Sequence, residues 1–268
     1  MDLTTVLGLI GAVVALLVSV FIDKGSLLSL MNLSAFVLVF GGTIAATVIS
    51  FRGKDLRAVG QLFRIAFVAH EMDPVEVIHK LVTFAEFARR EGLLALEARL
   101  DELDDRFARS GLEAVVDGVD PELVKNLMET ELSFLEDRHK NAASILEIAG
   151  GYAPTMGIMG TVMGLVHVLA NLTNAAALGP AIATAFTATL YGIGTANLFW
   201  LPLAAKLKNR HRQEVLVREI MLEGILSIQA GENPRMLEEK LLAFLPPGDR
   251  RHRERGGAQG GEQRDVAD

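Results

Sequence analysis

A row of hydroxyl side chains lies in the longest uncharged part of this sequence. The stretch 148–205 contains no Asp, Glu, Lys or Arg. In its second half, hydroxyl groups recur at the spacing of one helical face, at Thr184, Thr187, Tyr191 and Thr195. With Thr161 opposite them, these groups indicate a hydrated or ion-conducting seam, although a threonine can also return its hydroxyl to its own helix backbone.

The chemistry that this seam lacks is a carboxylic acid. A path for protons or metal cations normally holds a titratable group at depth, and such groups are rare in membranes because they are costly there. The stretch has one histidine, His167, and a lone histidine near the end of a span is more typical of the membrane interface than of a relay. If ions pass here, we expect the carboxylate to come from another chain.

Two membrane-spanning helices are needed to place these groups. A span needs roughly 20 mainly apolar residues, so the uncharged stretch is long enough to cross a bilayer twice. We predict an outgoing helix from Pro154 to Ala170 and a return helix from Ala181 to Ala205, separated by the turn-forming residues 171–174 and the pair Gly179-Pro180. The spacing Gly160-x-x-x-Gly164 favours close helix approach, and packing alone is a sufficient explanation for it.

Two more apolar runs, Leu3 to Ile22 and Leu33 to Phe51, precede this hairpin. The first lacks the basic leading region and the small-residue cleavage site of a signal peptide. Basic residues flank the cytoplasmic ends of spans, and here they follow the second span, precede the third and follow the fourth. We therefore predict an all-α integral membrane protein with four transmembrane helices, a helical cytoplasmic domain and both termini in the cytoplasm.

The predicted organisation has five parts. They are a transmembrane hairpin over 1–51, a cytoplasmic helical domain over 52–147, the second hairpin with the ion path over 148–205, C-terminal cytoplasmic helices over 206–247 and a disordered tail over 248–268. Helix starts are expected at Asp73-Pro74, with Glu76 reaching back, at Asp120-Pro121 and at Asn233-Pro234. The second of these helices is expected to run unbroken into the third span, and the helix of the fourth span to continue to about Gln229.

Composition excludes several classes of function. The chain has no cysteine, which removes disulfides, thiolate metal sites and cysteine nucleophiles. Its formal net charge of -7 gives no reason to expect a nucleic-acid partner. Gly192-x-Gly194 lacks the third glycine of a nucleotide loop and follows no strand. We expect neither an enzyme nor a bound cofactor or metal.

A cluster of charges in the predicted cytoplasmic domain is a candidate docking corner. The residues are Arg89-Arg90-Glu91, followed by Gly92 and then Glu97. Charges on a helix usually form its solvated face. If Gly92 separates two helices, however, an exposed corner with both signs of charge is suited to a complementary charged partner.

Several motifs resemble one family, the flagellar motor stator A subunits of the MotA and PomA type, within the MotA/TolQ/ExbB proton channel superfamily. The resemblance covers residues 1–247. It rests on the run at 89–97, Asp137-Arg138-His139, Ala153 to Thr161, Thr189 to Gly192, Asn197 to Pro202 and Ile228 to Arg235. It implies a ring of five A subunits around two B subunits (MotB or PomB) in the inner membrane, with the ion carried by an aspartate of the B subunit.

The resemblance also assigns roles to residues of this chain. Arg89 or Arg90 and Glu97 match charges that contact the rotor protein FliG, and Pro154 and Pro202 match two functional prolines. The ion-path residues it implies are Thr161, Thr189, Tyr191 and Thr155. Sodium-type relatives carry a threonine at the position of Thr161, as this chain does, but they also tend to carry two threonines before Leu-Tyr-Gly, and the first of that pair is Ala188 here. We expect H+ as the transported ion, with Na+ as the alternative.

Two other interpretations fit the apolar pattern. An energiser of the ExbB and TolQ type is related in the last two spans, but it usually has three spans. A self-contained permease is expected to hold its own charged or broken-helix site and internal repeats, and neither is visible. A purely structural membrane scaffold leaves the hydroxyl row unexplained.

Overall fold

Every regular element of the described chain is helical. The structure is a computed structural model, and the residues it describes are 3–22, 24, 30–57, 72–170, 172–173 and 175–248. No strand occurs among them, which confirms the all-α fold class. The predicted turn around residues 23–26 and the predicted tail lie almost wholly outside the described residues.

The helices are numbered along the chain. They are α1 (Leu3–Ile22), α2 (Leu33–Ser50), α3 (Gly53–Arg57), α4 (Pro74–Glu91), α5 (Arg106–Val116), α6 (Pro121–Ala170), α7 (Ala175–Thr195), α8 (Leu201–Gln229) and α9 (Pro234–Leu242). A 3₁₀ segment, Leu93–Glu102, follows α4, and π-helical turns occupy Val37–Gly41 within α2 and Ala196–Trp200 between α7 and α8.

The chain forms two compact units. The first unit comprises Met1–His70 and Asp137–His211, and the second comprises Glu71–Glu136 and Arg212–Asp268. Among the described residues, two helices are long and apolar enough to cross a membrane, Leu33–Ser50 and Pro121–Ala170, and Val6–Ile22 is a shorter apolar helix.

The predicted helix starts are confirmed. Asp73, directly before α4, accepts a hydrogen bond from the Val75 backbone N–H at 2.9 Å. Glu76 does not complete the expected reciprocal cap; its carboxylate lies 3.2 Å from Lys80 Nζ, an i,i+4 ion pair one turn along the same face. Asp120 and Asn233 accept backbone hydrogen bonds in the same way. The α6 helix runs unbroken to Ala170, as predicted.

The second unit has its own hydrophobic core. The core residues come from α4, the 3₁₀ segment, α5, α6, α8 and α9, and the largest fully buried ones include Ile78, Leu96, Leu112, Met128, Ile225 and Leu241. Gly111 lies at a close contact in this core, because a Cβ there would lie 2.6 Å from Met128 Sδ and 2.9 Å from Ile225 Cδ1. Close packing of this kind makes the unit sensitive to any added methyl group at the contact.

Small residues bring α6 and α7 together in the first unit. A Cβ added at Gly160 would lie 2.5 Å from the Ala188 Cβ, and one added at Gly164 would lie 2.6 Å from the Ala185 Cβ. The Gly160-x-x-x-Gly164 spacing therefore packs helices, as its simplest interpretation predicts.

The return helix begins earlier than predicted. It starts at Ala175, and Gly179-Pro180 lies inside its second turn. The expected break at this pair was wrong because a proline near a helix start removes only one hydrogen bond, and the first turns of a helix have few such bonds to lose. The described part of the turn before α7 is Leu172 and Thr173.

Candidate functional site

The hydroxyls of Thr161 on α6 and Thr189 on α7 are hydrogen-bonded to each other. We call these two residues the hydroxyl pair. Thr161 Oγ1 also lies 3.1 Å from the Ala185 carbonyl oxygen and 3.2 Å from that of Gly157, and both threonines are half-buried. Four oxygen atoms thus converge in an otherwise apolar helix contact.

The remaining hydroxyls, the hydroxyl stripe at positions 184, 187, 191 and 195, lie on the other side of α7. Thr184 and Tyr191 bond to residues at the start of α2. Thr187 and Thr195 each donate to the carbonyl oxygen four residues earlier in their own helix, at 2.8 and 2.7 Å. The hydroxyls of the stripe therefore either bond to residues at the start of α2 or donate to the backbone of α7 itself.

The expectation that Thr161 stands opposite this stripe was wrong. Thr189 follows Thr184 by five residues, which at 3.6 residues per turn places it about 140° around the helix. Thr161 faces Thr189 and Ala185, because the glycines of α6 pack there and not against the stripe. The hydroxyls of α7 consequently serve two separate contacts.

The structure does not bring Thr155 and Tyr191 to the hydroxyl pair. Thr155 is exposed and donates to the Tyr152 carbonyl at 2.7 Å, and six residues separate it from Thr161, about 120° around α6. The Tyr191 hydroxyl donates to the Leu30 carbonyl at 2.5 Å. Within this single chain, the predicted ion-path residues thus fall on three different surfaces.

The two predicted prolines stand at different kinds of helix position. Pro154 lies inside α6. Pro202 is the second residue of α8, and only Leu201 separates it from the π-helical turn Ala196–Trp200. A proline cannot donate to the carbonyl four residues earlier and its ring clashes with that group. A π-helical turn can accommodate this missing hydrogen bond and the ring clash inside a long helix.

A groove of about 520 Å³ lies between α2, α6 and α7. Its lining includes Ser34 and Leu38 from α2, and Met163 and His167 from α6, while Thr184 contributes from α7. The groove is on the side of the hydroxyl stripe. His167, which sequence considerations place near the end of a span, is part of this groove and not of the hydroxyl pair.

The charged corner, residues 89–97, is built around a glycine. The α4 helix ends at Glu91, and Gly92 has a φ of 92°, a backbone conformation that glycine adopts readily. The following 3₁₀ segment is anchored by Leu96, which is fully buried. Arg89, Arg90 and Glu97 are all exposed. The break predicted at Gly92 is confirmed, with a 3₁₀ segment in place of a second α-helix.

Arg99 fastens the 3₁₀ segment to α4. Its guanidinium donates two hydrogen bonds of 2.7 Å to the Glu102 carboxylate and lies 4.9 Å from the Phe87 ring centroid and 5.5 Å from that of Phe84. The hydrogen bonds from Arg99 hold the pKa of Glu102 below its usual value. Sequence considerations missed this residue, although an Arg three positions before a Glu is a recognisable helical pair.

The sequence of this chain is similar to that of one class of membrane proteins. Residues 99–220 match the profile of the MotA/TolQ/ExbB proton channel family. Motility protein A of Bacillus subtilis is 43% identical over 267 residues, 99% of each chain. Chemotaxis protein PomA of Vibrio alginolyticus is 34% identical over 250 residues, which cover 93% of this chain and 98% of that protein.

A solved structure supports the same family assignment as these relatives. The structure of the flagellar MotAB stator complex from Bacillus subtilis contains a chain that superimposes with a TM-score of 0.87 at 43% identity, covering 93% of this chain and 98% of that one. The chain therefore belongs to the MotA/TolQ/ExbB proton channel family and, within it, to the flagellar stator subunits of the MotA and PomA type.

Proposed function

We propose that this chain is the ion-conducting A subunit of a bacterial flagellar stator, which couples inward ion flow to torque on the rotor. The hydroxyl pair is the observation that carries the proposal. Its two hydroxyls and two carbonyl oxygens form a polar cluster in a helix pair that has no Asp, Glu, Lys or Arg between 148 and 205.

The membrane arrangement that we propose has four spans. They are α1, α2, the part of α6 from Ile148 onward, and α7 together with α8 to Ala205. The long apolar helices and the family support this arrangement. The basic residues around Arg52 and Lys206 support a cytoplasmic position for the remaining helices and both termini by the positive-inside rule.

A B subunit of the MotB or PomB type supplies the missing carboxylate in this proposal. The solved structures similar to this chain are of MotAB stator complexes, which supports such a partner. We propose five copies of this chain around two B subunits. The aspartate of the B subunit then carries the ion past the hydroxyl pair, and Thr155 and Tyr191 line other parts of the path or of the ring.

The ion that we propose is the proton. Ala188 is 1% exposed and packs with Ala35 and Val39, so the position before Thr189 contributes an apolar contact and no third hydroxyl. A proton needs only a carboxylate and a chain of water or hydroxyl groups, whereas sodium needs several oxygen ligands to replace its water shell. Na+ is the alternative.

Torque is delivered, in this proposal, by the charged corner to the rotor protein FliG. Arg89, Arg90 and Glu97 are exposed there and suit a partner with complementary charges. Each elementary charge that crosses about 100 mV releases ~2.3 kcal/mol. Movement at the hydroxyl pair is passed on through α6 and α8, the two uninterrupted helices that contribute residues to both units, with Pro154 and Pro202 as coupling prolines.

Native mass spectrometry of the complex tests this assembly. The chain is co-expressed with its neighbouring single-span membrane protein and extracted in detergent. We expect five copies of this chain with two copies of the partner, and restored swimming when both are supplied to a strain that lacks its stators. A homo-oligomer that ignores every single-span partner contradicts the proposal, because no carboxylate then reaches the hydroxyl pair.

A further inference from the structure

Asn32 joins the start of α2 to the hydroxyl stripe of α7. Its side-chain Oδ1 accepts the Ala35 backbone N–H at 3.0 Å, which caps α2. Its Nδ2 donates to Thr184 Oγ1 at 2.8 Å, and its backbone N–H donates to the Tyr191 hydroxyl at 3.2 Å. A single residue therefore contacts α7 at two points that are seven residues, about two turns, apart.

The donors and acceptors of this contact are mutually consistent. The Ala35 N–H can only donate, so the oxygen of the Asn32 amide must face it and the NH₂ group must face Thr184. Thr184 donates its own proton to the Pro180 carbonyl at 3.0 Å and is left to accept from Asn32. Tyr191 donates to the Leu30 carbonyl at 2.5 Å and accepts the Asn32 N–H. We call the three residues Asn32, Thr184 and Tyr191 the α2–α7 latch.

The latch acts on the side of α7 that faces away from the hydroxyl pair. Next to the latch, Ala35, Val39 and Ala188 are buried against each other, with Tyr191 packed on them. Apolar contacts are not directional, whereas two hydrogen-bonded contacts spaced along the axis constrain both the rotation of a helix and its position along that axis. Rotation of α7 directly changes the direction in which Thr189 points.

We propose that Asn32 is a positioning residue, which sets the rotation of α7 so that Thr189 meets Thr161. The inference deepens the proposed function and rests on it for its effect on ion flow, but the positioning itself is a structural claim. The competing explanation is that Asn32 only caps α2.

Asn32→Ser separates the two explanations. Serine caps helices about as well as asparagine, but its side chain is too short to reach Thr184. Thr184→Val removes the same contact from the other partner. The matched control is Thr195→Val, because Thr195 bonds only to its own helix in the contacts above.

The first readout is the cross-linking of the hydroxyl pair. The chain has no cysteine, so Thr161→Cys with Thr189→Cys gives one defined pair whose rate of disulfide formation is measured in the full chain assembled with its B partner. We expect Asn32→Ser and Thr184→Val each to slow cross-linking roughly fivefold, the factor expected from one ordinary hydrogen bond, and the two together to slow it no further. Unchanged cross-linking in Asn32→Ser overturns the latch.

The second readout is ion flux through the assembled complex without the cysteines. We expect Asn32→Ser to lower flux by a similar factor while Thr195→Val leaves it unchanged. If cross-linking slows and flux stays normal, the latch is supported and the place of the hydroxyl pair in the ion path is contradicted. The failure of the inference and that of the proposed function are thus distinguishable.

Discussion

Gly157 and Gly192 face each other across the contact between α6 and α7. A Cβ added at Gly192 would lie 3.0 Å from the Gly157 Cα and 2.6 Å from the Ala153 carbonyl oxygen. Four residues along α6 and three back along α7, the same close approach brings Thr161 to Thr189. The hydroxyl pair therefore exists because the two backbones meet without side chains between them.

Gly192→Ala should separate these helices. The added methyl group meets backbone atoms that cannot rotate away, and overpacking of this kind costs about 1–3 kcal/mol. We expect a lower melting temperature of the complex and a loss of ion flux. Gly194→Ala is the matched control on the same helix, since beyond the adjoining backbone of its own helix no described atom lies within 4 Å of a Cβ at that position. Equal effects of the two substitutions would contradict this account of the helix contact.

Motor rotation should be independent of sodium. Because Ala188 is buried in an apolar contact, it adds no hydroxyl to the hydroxyl pair, and two hydroxyls are too few to replace the water shell of sodium. We expect the same swimming speed with and without sodium when external pH and membrane potential are held constant. Speed that rises with sodium and vanishes without it would identify Na+ as the ion.

Glu97→Lys should reduce torque and leave the assembly intact. Glu97 is exposed on the charged corner, so reversing its charge changes the match with a partner and not the core of the second unit. Torque is measured on tethered cells, and assembly by the yield of the complex with the B subunit. Glu113→Lys, at an exposed position of α5, is the control and should keep normal torque. Loss of assembly in Glu97→Lys would point instead to a role in folding.

Arg99→Ala should loosen the 3₁₀ segment that carries Glu97. It removes both hydrogen bonds to Glu102 and the stacking on Phe84 and Phe87. We expect a lower melting temperature, partly recovered in Arg99→Lys, because lysine restores the charge without the planar two-bond geometry.

The ion pair between Arg99 and Glu102 predicts that the stability of the protein depends on pH. Hydrogen bonds from Arg99 lower the pKa of Glu102 in the folded protein. The ionised carboxylate therefore stabilises the folded protein at neutral pH, and this stabilisation is lost as pH falls through the lowered pKa. The difference in melting temperature between the wild type and Arg99→Ala should therefore become smaller in acid, where only the stacking contribution remains. A difference that stays constant down to strongly acidic pH would show that stacking alone, without the ion pair, accounts for the effect.

Much of the fold was predictable because its signals are local. Asp73, Asp120 and Asn233 sit directly before prolines and start helices, and the absence of breakers between Pro121 and Gly150 predicted that α6 runs on into the span. The end of α8 at Gln229 also agrees with the sequence pattern. Such features depend on a few neighbouring residues and need no knowledge of the partner helices.

The candidate site was less predictable because it depends on which helix faces which. Helical spacing grouped Thr184 and Tyr191 correctly, but it could not reveal that they meet Asn32 and not Thr161. Thr189 falls off that stripe, and only the family resemblance drew attention to it. Asn32 itself carried a signal, since an asparagine directly before an apolar run is typical of a helix cap, yet nothing in the sequence connects it to α7.

The central claim is that ions pass at the hydroxyl pair, and flux through the assembled complex in liposomes tests it most directly. Thr189→Val and Thr161→Val keep the side-chain shape and remove one hydroxyl each. Thr187→Val is the control, because Thr187 lies on the same helix as Thr189 but is buried and bonds to its own helix backbone. The account predicts a large loss of flux in the first two variants and wild-type flux in the control, with all complexes assembled. Wild-type flux in Thr189→Val and Thr161→Val would contradict it.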